Sequence, residues 1–239
     1  MTFSRMLPRA AVCLLALAAG PVSVAADVTG YAVVTTDYVF RGATYSNGHG
    51  AAQAGIDVAL DSGLYGGLWA STIDIEGGST RRDAEVNYYV GYNRDMNADW
   101  TVGISVVAYT FPGAEGPFDY DYNEITAVAN FRDRAWIEYA YSPDLFHSSR
   151  STHNLELYAE WPLPRSLLLG AGAGYYDVSD LTGASYSYWQ AGVTRPFEHF
   201  SIDLRLHAAS REVPIISAPD RAGSRLVLSL RIPFVIASR

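Results

Sequence analysis

Beyond Asp27 the chain is a succession of period-two segments, and the connections between them alternate long, short, long, short without exception. Side chains of a strand point to opposite faces in turn, so a period of two reads as strand. The pattern predicts twelve strands: Val28–Arg41, Gln53–Leu60, Leu64–Ile73, Ala84–Asn93, Trp100–Phe111, Asp121–Phe131, Arg134–Tyr141, Thr152–Trp161, Ser166–Tyr176, Tyr186–Pro196, Phe200–Ala209 and Arg225–Phe234. The long connections are Gly42–Ala52, Asp74–Asp83, Pro112–Tyr120, Ser142–Ser151, Asp177–Ser185 and Ser210–Ser224, and those between them hold six residues or fewer. A Greek-key sandwich has no reason to keep this asymmetry. An up-and-down barrel in a bacterial outer membrane does, with short turns at one end and longer outward loops at the other. Most segments have about the 9–11 residues that a tilted strand needs to cross such a membrane.

The faces can be followed from strand to strand. In the last, Leu226, Leu228, Leu230, Ile232 and Phe234 alternate with Arg225, Val227, Ser229, Arg231 and Pro233, and the alternation continues through Ile236. Ile56, Val86, Val90, Ile125, Ile137, Leu155, Leu157, Ile202 and Leu204 are expected to face outward; Asp57, Asn87, Asn154, Glu160, Asp203 and His207 inward. Nearly every charge within a strand falls on the inward side. Lipid demands that segregation, because Arg or Lys on the lipid face at mid-membrane costs about 2–4 kcal/mol. Leu64–Ile73 is ambiguous, since both its faces are apolar. Aromatic residues near strand ends, among them Tyr38, Phe40, Tyr92, Trp100, Phe111, Trp161, Tyr175 and Trp189, are expected to contribute to interfacial girdles. Gly170, Gly172 and Gly174 form an inward rail that leaves room for large neighbours or a bend.

The start of the chain reads as a secretory signal peptide over residues 1–26: Arg5 and Arg9, then the apolar run Ala10–Ala19, then Val24-Ala25-Ala26 before Asp27. The single cysteine, Cys13, lies in that run, so the mature barrel, residues 27–239, has no thiol or disulfide chemistry. The formal charge of −8 becomes −10 on removing the two arginines (15 basic against 25 acidic residues), which makes nucleic acid an unlikely partner and leaves outer-membrane lipid and small hydrophilic solutes.

Thr36-Asp37-Tyr38-Val39-Phe40-Arg41-Gly42-Ala43-Thr44-Tyr45-Ser46-Asn47 resembles the N-terminal signature of Gcw_chp, an uncharacterised family of Gram-negative secreted proteins. Asp37, Tyr38, Phe40, Arg41, Gly42 and Ser46 match, while Thr36 and Thr44 stand where the family has serines. Asp61 to Ser71 resembles its second block. The resemblance implies an outer-membrane-type barrel and brings no reaction, ligand or cofactor.

Asp37 and Arg41, four apart on one predicted strand face, are expected to line the lumen with Glu85, Glu124, Glu138, Glu156, Arg205, Arg225 and Arg231. The arginines come from the first and last two strands and the glutamates from the opposite wall. Facing walls of opposite charge would set a transverse field across a water-filled lumen; the competing outcome is that they meet in salt bridges that brace a blocked interior. The leading expectation is thus an all-β, twelve-stranded antiparallel transmembrane barrel acting as a porin-like passive channel for small hydrophilic solutes. A closed barrel with a structural or loop-mediated role is the alternative, and a hydrolase using Ser229, His207 and Asp203 a lesser one. No metal-ligand spacing occurs, and the acidic, aromatic loop Glu115–Tyr122 lacks the calcium-loop pattern.

Overall fold

Twelve strands of the computed structural model close on themselves without an edge. The structure describes residues 26–77, 80–113, 119–211 and 223–238, leaving aside the side chains of residues 76, 77, 80 and 81. The predicted signal peptide up to Ala25 and the loop residues 114–118 and 212–222 lie outside the described residues. In chain order the strands are β1 (Ala26–Thr35), β2 (Val39–Phe40), β3 (Ala43–Thr44), β4 (Ala51–Leu60), β5 (Leu64–Gly77), β6 (Thr80–Asp95), β7 (Trp100–Thr110), β8 (Tyr122–Phe131), β9 (Ala135–Ser142), β10 (Thr152–Leu163), β11 (Leu167–Asp177), β12 (Tyr186–Pro196), β13 (Ser201–Ala209) and β14 (Arg225–Ala237). All except β2 and β3 belong to the barrel, each pairing antiparallel with its chain neighbours, and β1 closes the ring on β14 with Val34 opposite Leu230 and Thr35 opposite Ser229. Closure satisfies every wall strand on both sides, which is what a β-structure in lipid requires.

The face assignments follow the pleat. Ile104 and Leu157 are 57% and 58% exposed, with Leu204, Leu228 and Ile232 beside them on an apolar outer band. An apolar surface that runs round the whole molecule is a lipid-facing surface, since in water it would far exceed the few hundred Å² that proteins tolerate. No helix of the described residues is long and apolar enough to cross a membrane. Tyr92, Trp100 and Trp161 are exposed near the end that carries the termini and short turns, and Tyr139, Tyr175 and Trp189 toward the loop end, as two girdles would be. Tyr38 and Phe111, expected among the girdles, are instead buried inside.

The ambiguous strand β5 turns Tyr65 and Trp69 inward and Leu64 and Leu68 outward. Trp69 turned inward packs edge-on against the Tyr38 ring at 5.4 Å. β5 and β6 also run further than their alternation predicts. They pair as far as Gly77 with Thr80, so most of the expected loop Asp74–Asp83 is strand, with an irregularity between Thr72 and Ile75 and with Ile73 and Ile75 both buried.

The glycine rail on β11 has a definite use. Tyr158 lies across Gly170 and Gly172, and Tyr188 lies across Gly174, so the rings pack flat on the strand. A Cβ on Gly172 would sit 2.8 Å from the Tyr158 ring and 2.9 Å from the Leu157 carbonyl oxygen. Gly172→Ala is therefore expected to destabilise the barrel by about 1–3 kcal/mol through overpacking, read as a lower urea midpoint of unfolding in detergent micelles; an unchanged midpoint would mean the ring is free to lift.

Candidate functional site

The lumen is occupied at the loop end by part of the chain itself. β1 stops at Thr35, and the Thr35 hydroxyl donates to the Asp37 carbonyl (2.8 Å) as the backbone turns inward. Residues 39–44 then form a hairpin, β2 against β3, with Val39 opposite Thr44 and Phe40 opposite Ala43. Arg41 (φ 48°) and Gly42 (φ 78°) make its two-residue turn. Such turns need a positive φ at both central residues, which glycine accepts at no cost. Gly42 is also pressed against the wall, where a Cβ would meet that of Tyr188 at 2.7 Å. The predicted first strand, running to Arg41, is corrected accordingly: Asp37 and Arg41 lie inside the barrel on an inserted segment, not on a strand of its wall.

That segment is latched at three levels. At the tip, Arg41 Nη1 and Nη2 donate to Glu124 Oε1 and Oε2 of β8 at 2.6 and 2.9 Å, a bidentate pair with side chains 4% and 1% exposed. Its guanidinium lies 4.6 and 4.7 Å from the centres of the Phe40 and Tyr176 rings. At the base, the Thr44 and Ser46 hydroxyls lie 2.5 and 2.9 Å from Asp37 Oδ1, the Tyr38 N–H donates to Ser46 Oγ (2.8 Å), and Arg225 Nη1 of β14 reaches Asp37 Oδ2 at 3.4 Å. Between them, the Tyr38 ring packs edge-on against Tyr45 and Trp69, both at 5.4 Å. The Asp74 N–H donates to the Tyr45 carbonyl (2.8 Å), tying the segment to β5.

On the terminal side of the hairpin lies a cavity of about 500 Å³. One wall carries a block of four side chains: Trp136 is directly opposite Tyr158, and Glu138 directly opposite Glu156, on β9 and β10. The aromatic pair is stacked, with centroids 4.3 Å apart and an interplanar angle of 29°. Glu156 accepts from the Tyr188 hydroxyl (2.9 Å) and from Gln190 Nε2 (3.0 Å), both uncharged donors. Glu138 has no hydrogen-bond or ion-pair partner among the described residues. Arg205 belongs to the same block: its Nε and Nη2 hold Asp203 at 3.0 and 2.9 Å, its Nη1 donates to Gln190 Oε1 at 3.5 Å, and its guanidinium lies 5.4 Å from the centre of the Tyr158 ring. Arg231 lies face-on over the Tyr31 ring at 3.5 Å.

The structure places eight of the nine residues expected in the lumen as follows. Asp37, Arg41, Glu138, Glu156, Arg205 and Arg231 line the cavity; Glu124 is buried behind the hairpin tip, and Arg225 sits at its base. The ninth, Glu85, is buried beside Asn87, whose Nδ2 donates to Glu85 Oε1 at 2.8 Å. Arginines and acids do not stand apart as two opposed walls: Arg41, Arg205 and Arg225 each have an acidic partner within 3.4 Å. The set considered for hydrolysis is not assembled, because Asp203 turns to Arg205 and Thr194 while the Ser229 hydroxyl donates to Thr35 Oγ1 at 2.9 Å. Among the described residues no group of three His, Cys, Asp or Glu side chains could hold a metal ion. Sequence reading missed the Trp136–Tyr158 stack; its signal is there, since both residues sit two positions from an inward glutamate.

A closed, antiparallel twelve-stranded barrel with an apolar outer band and a polar, partly plugged lumen defines the class: a transmembrane barrel with the fold of outer-membrane porins. Over residues 16–208 the chain matches the family described as "Bacterial protein of unknown function (Gcw_chp)", and it belongs to that family. Among solved structures it is similar to the KdgM porin, with 10% identity, a TM-score of 0.54 and coverage of 87% of this chain and 99% of the porin. It is also similar to the COG4313 outer membrane channel from Pseudomonas putida F1, with 11% identity, a TM-score of 0.51 and coverage of 90% and 97%. The KdgM porin in complex with disordered oligogalacturonate aligns at 9% identity with a TM-score of 0.52, over 87% of this chain and 99% of that one. A search of curated proteins found no match.

Proposed function

We propose that this protein is a porin-like passive channel for small hydrophilic solutes, with the β2–β3 hairpin as its constriction. The observation that carries the reading is the cavity on the terminal side of the hairpin, lined mainly by polar and aromatic side chains of the hairpin and of the barrel's inner face. Barrels of about eight strands fill their interiors with side chains and the diameter grows with strand number, so twelve strands leave room for such a cavity. The family and the porin fold support a place in the outer membrane, reached through cleavage of the signal peptide predicted over residues 1–26, with the termini and short turns on the periplasmic side. Lipid then covers the apolar band, and the hairpin faces the exterior.

The same hairpin favours a second reading, a closed barrel that acts through its loops, because the charged groups at its tip and base, Arg41 and Asp37, are both paired with charged residues of the wall. Single-channel conductance of the refolded mature chain in a planar bilayer separates the two. The channel reading expects small ohmic steps from the wild type and larger ones once the hairpin is removed. Silence from both chains, each shown to be folded and inserted, would establish the closed barrel.

A further inference from the structure

We infer that the lumen binds a neutral cyclic sugar, its ring stacked on Trp136 and its hydroxyls met by the polar chain that runs beside Tyr158. This names the class of solute and rests on the channel reading for its physiological role. The geometry starts from the glycine rail. A Cβ on Gly172 would touch the Tyr158 ring at 2.8 Å, so one face of that ring is applied to β11. The indole of Trp136, stacked with its centroid 4.3 Å away, then covers the other face. Tyr158 is accordingly buried, whereas Trp136 is half-buried and lines the cavity. The wall thus presents one broad aromatic face to the lumen, backed by a second ring and by a strand without side chains beneath it.

Arg205 leaves that face open. Its Nη2 would lie 3.2 Å from a Cβ on Gly170, the residue beneath the hydroxyl end of Tyr158, so the guanidinium meets the stack at its rim. A hydrogen-bonded chain runs on from there. Arg205 Nη1 donates to Gln190 Oε1 at 3.5 Å, Gln190 Nε2 donates to Glu156 at 3.0 Å, and Asp203 holds the other side of the guanidinium. Each member is oriented by its neighbour, so a ligand meets donors and acceptors that are already in place.

The charges of this wall select against ions of either sign. A cation meets Arg205 and the field of Arg41, which also acts on Glu138; an anion meets the carboxylates of Glu138, Glu156 and Asp203. The ligand that fits is neutral, with an apolar face for the indole and a rim of hydroxyls that both donate and accept. A pyranose has both features. An open-chain polyol has the hydroxyls without the flat face. The cavity, about 500 Å³, falls within the ~300–1,000 Å³ of small-molecule sites.

The test is titration calorimetry of the folded, full mature barrel in amine-oxide micelles, which carry no sugar headgroup, with methyl β-glucopyranoside, sorbitol and glucuronate. Wild type is expected to bind the glucoside at least about tenfold tighter than sorbitol, the equivalent of about 1.4 kcal/mol, and tighter than glucuronate. Trp136→Ala is expected to bring the glucoside down to the level of sorbitol, and Trp136→Phe to keep most of the preference. Arg132→Ala, on a turn outside the lumen, should leave it unchanged. The comparison of three ligands on the wild type needs no variant to fold. Equal affinity for glucoside and sorbitol, a preference for glucuronate, or a folded Trp136→Ala barrel that binds the glucoside as wild type does overturns the site. Selective glucoside binding by a barrel that conducts neither before nor after hairpin removal would leave the site standing and overturn the channel reading alone.

Discussion

Glu124→Ala is expected to lower the unfolding free energy of the barrel by about 3–5 kcal/mol, because it strands a buried guanidinium without its partner. Arg41 and Glu124 are both almost wholly removed from solvent, and the pair is bidentate at 2.6 and 2.9 Å. The aromatic rings of Phe40 and Tyr176 that flank Arg41 offer a cation some compensation, worth about 0.5–2 kcal/mol, which is less than the loss. The double variant Arg41→Met with Glu124→Leu should recover most of the stability, since an apolar pair of similar volume replaces a desolvated one. Urea titration in micelles reads both. A single-variant loss below about 1 kcal/mol, the range of exposed pairs, would mean that Arg41 reaches water and that the hairpin tip is not held where the structure puts it.

Replacing residues 38–45 by a short Gly-Ser connection, combined with Glu124→Gln to avoid a stranded carboxylate, is expected to raise single-channel conductance several-fold. The hairpin and the rings of Tyr38, Phe40 and Tyr45 fill the lumen between Trp69 on one wall and Tyr109 and Tyr176 on others. Leu145 and Val178 of the outer loops are buried in the same cluster and stay in place, and the wall closes independently of the hairpin, through β1 with β4 and β14. The variant should therefore remain a folded barrel, shown by its strand circular dichroism and its heat-dependent gel mobility. Conductance equal to wild type would move the constriction to the terminal side, at the level of Trp136 and Tyr158.

The wall of the barrel was legible because lipid and lumen impose opposite demands on alternate residues. Ile125, Leu157, Leu204 and Leu228 face out and Glu85, Asn87, Glu124 and Asn154 face in, as their alternation predicts. The same alternation misled at Thr36–Arg41. A strand in the wall and a strand in an inserted hairpin have the same period, and Tyr38, Phe40 and Arg41 are compatible with either. The one local mark of the hairpin is Arg41-Gly42 between two short extended pairs, and a single glycine is a weak signal for a turn. The glycine rail, by contrast, was readable as room for large neighbours, although not that Tyr158 and Tyr188 are those neighbours.

The sequence by itself thus determined the number of wall strands, the faces of most of them and the ring closure, because these depend on the period of the chain and on the cost of charge in lipid. Which charges meet was decided only in three dimensions. Arg41 and Glu124 are 83 positions apart, and Asp37 and Arg225 are 188 apart. Their pairing follows from the inward turn after Thr35 and from the closure of β1 on β14. The tertiary structure also set Arg205 of β13 over the Tyr158 ring of β10, 47 positions earlier, because the intervening strands pair side by side in the wall. Charge type is a property of each residue, whereas charge balance is a property of the space that the closed barrel encloses.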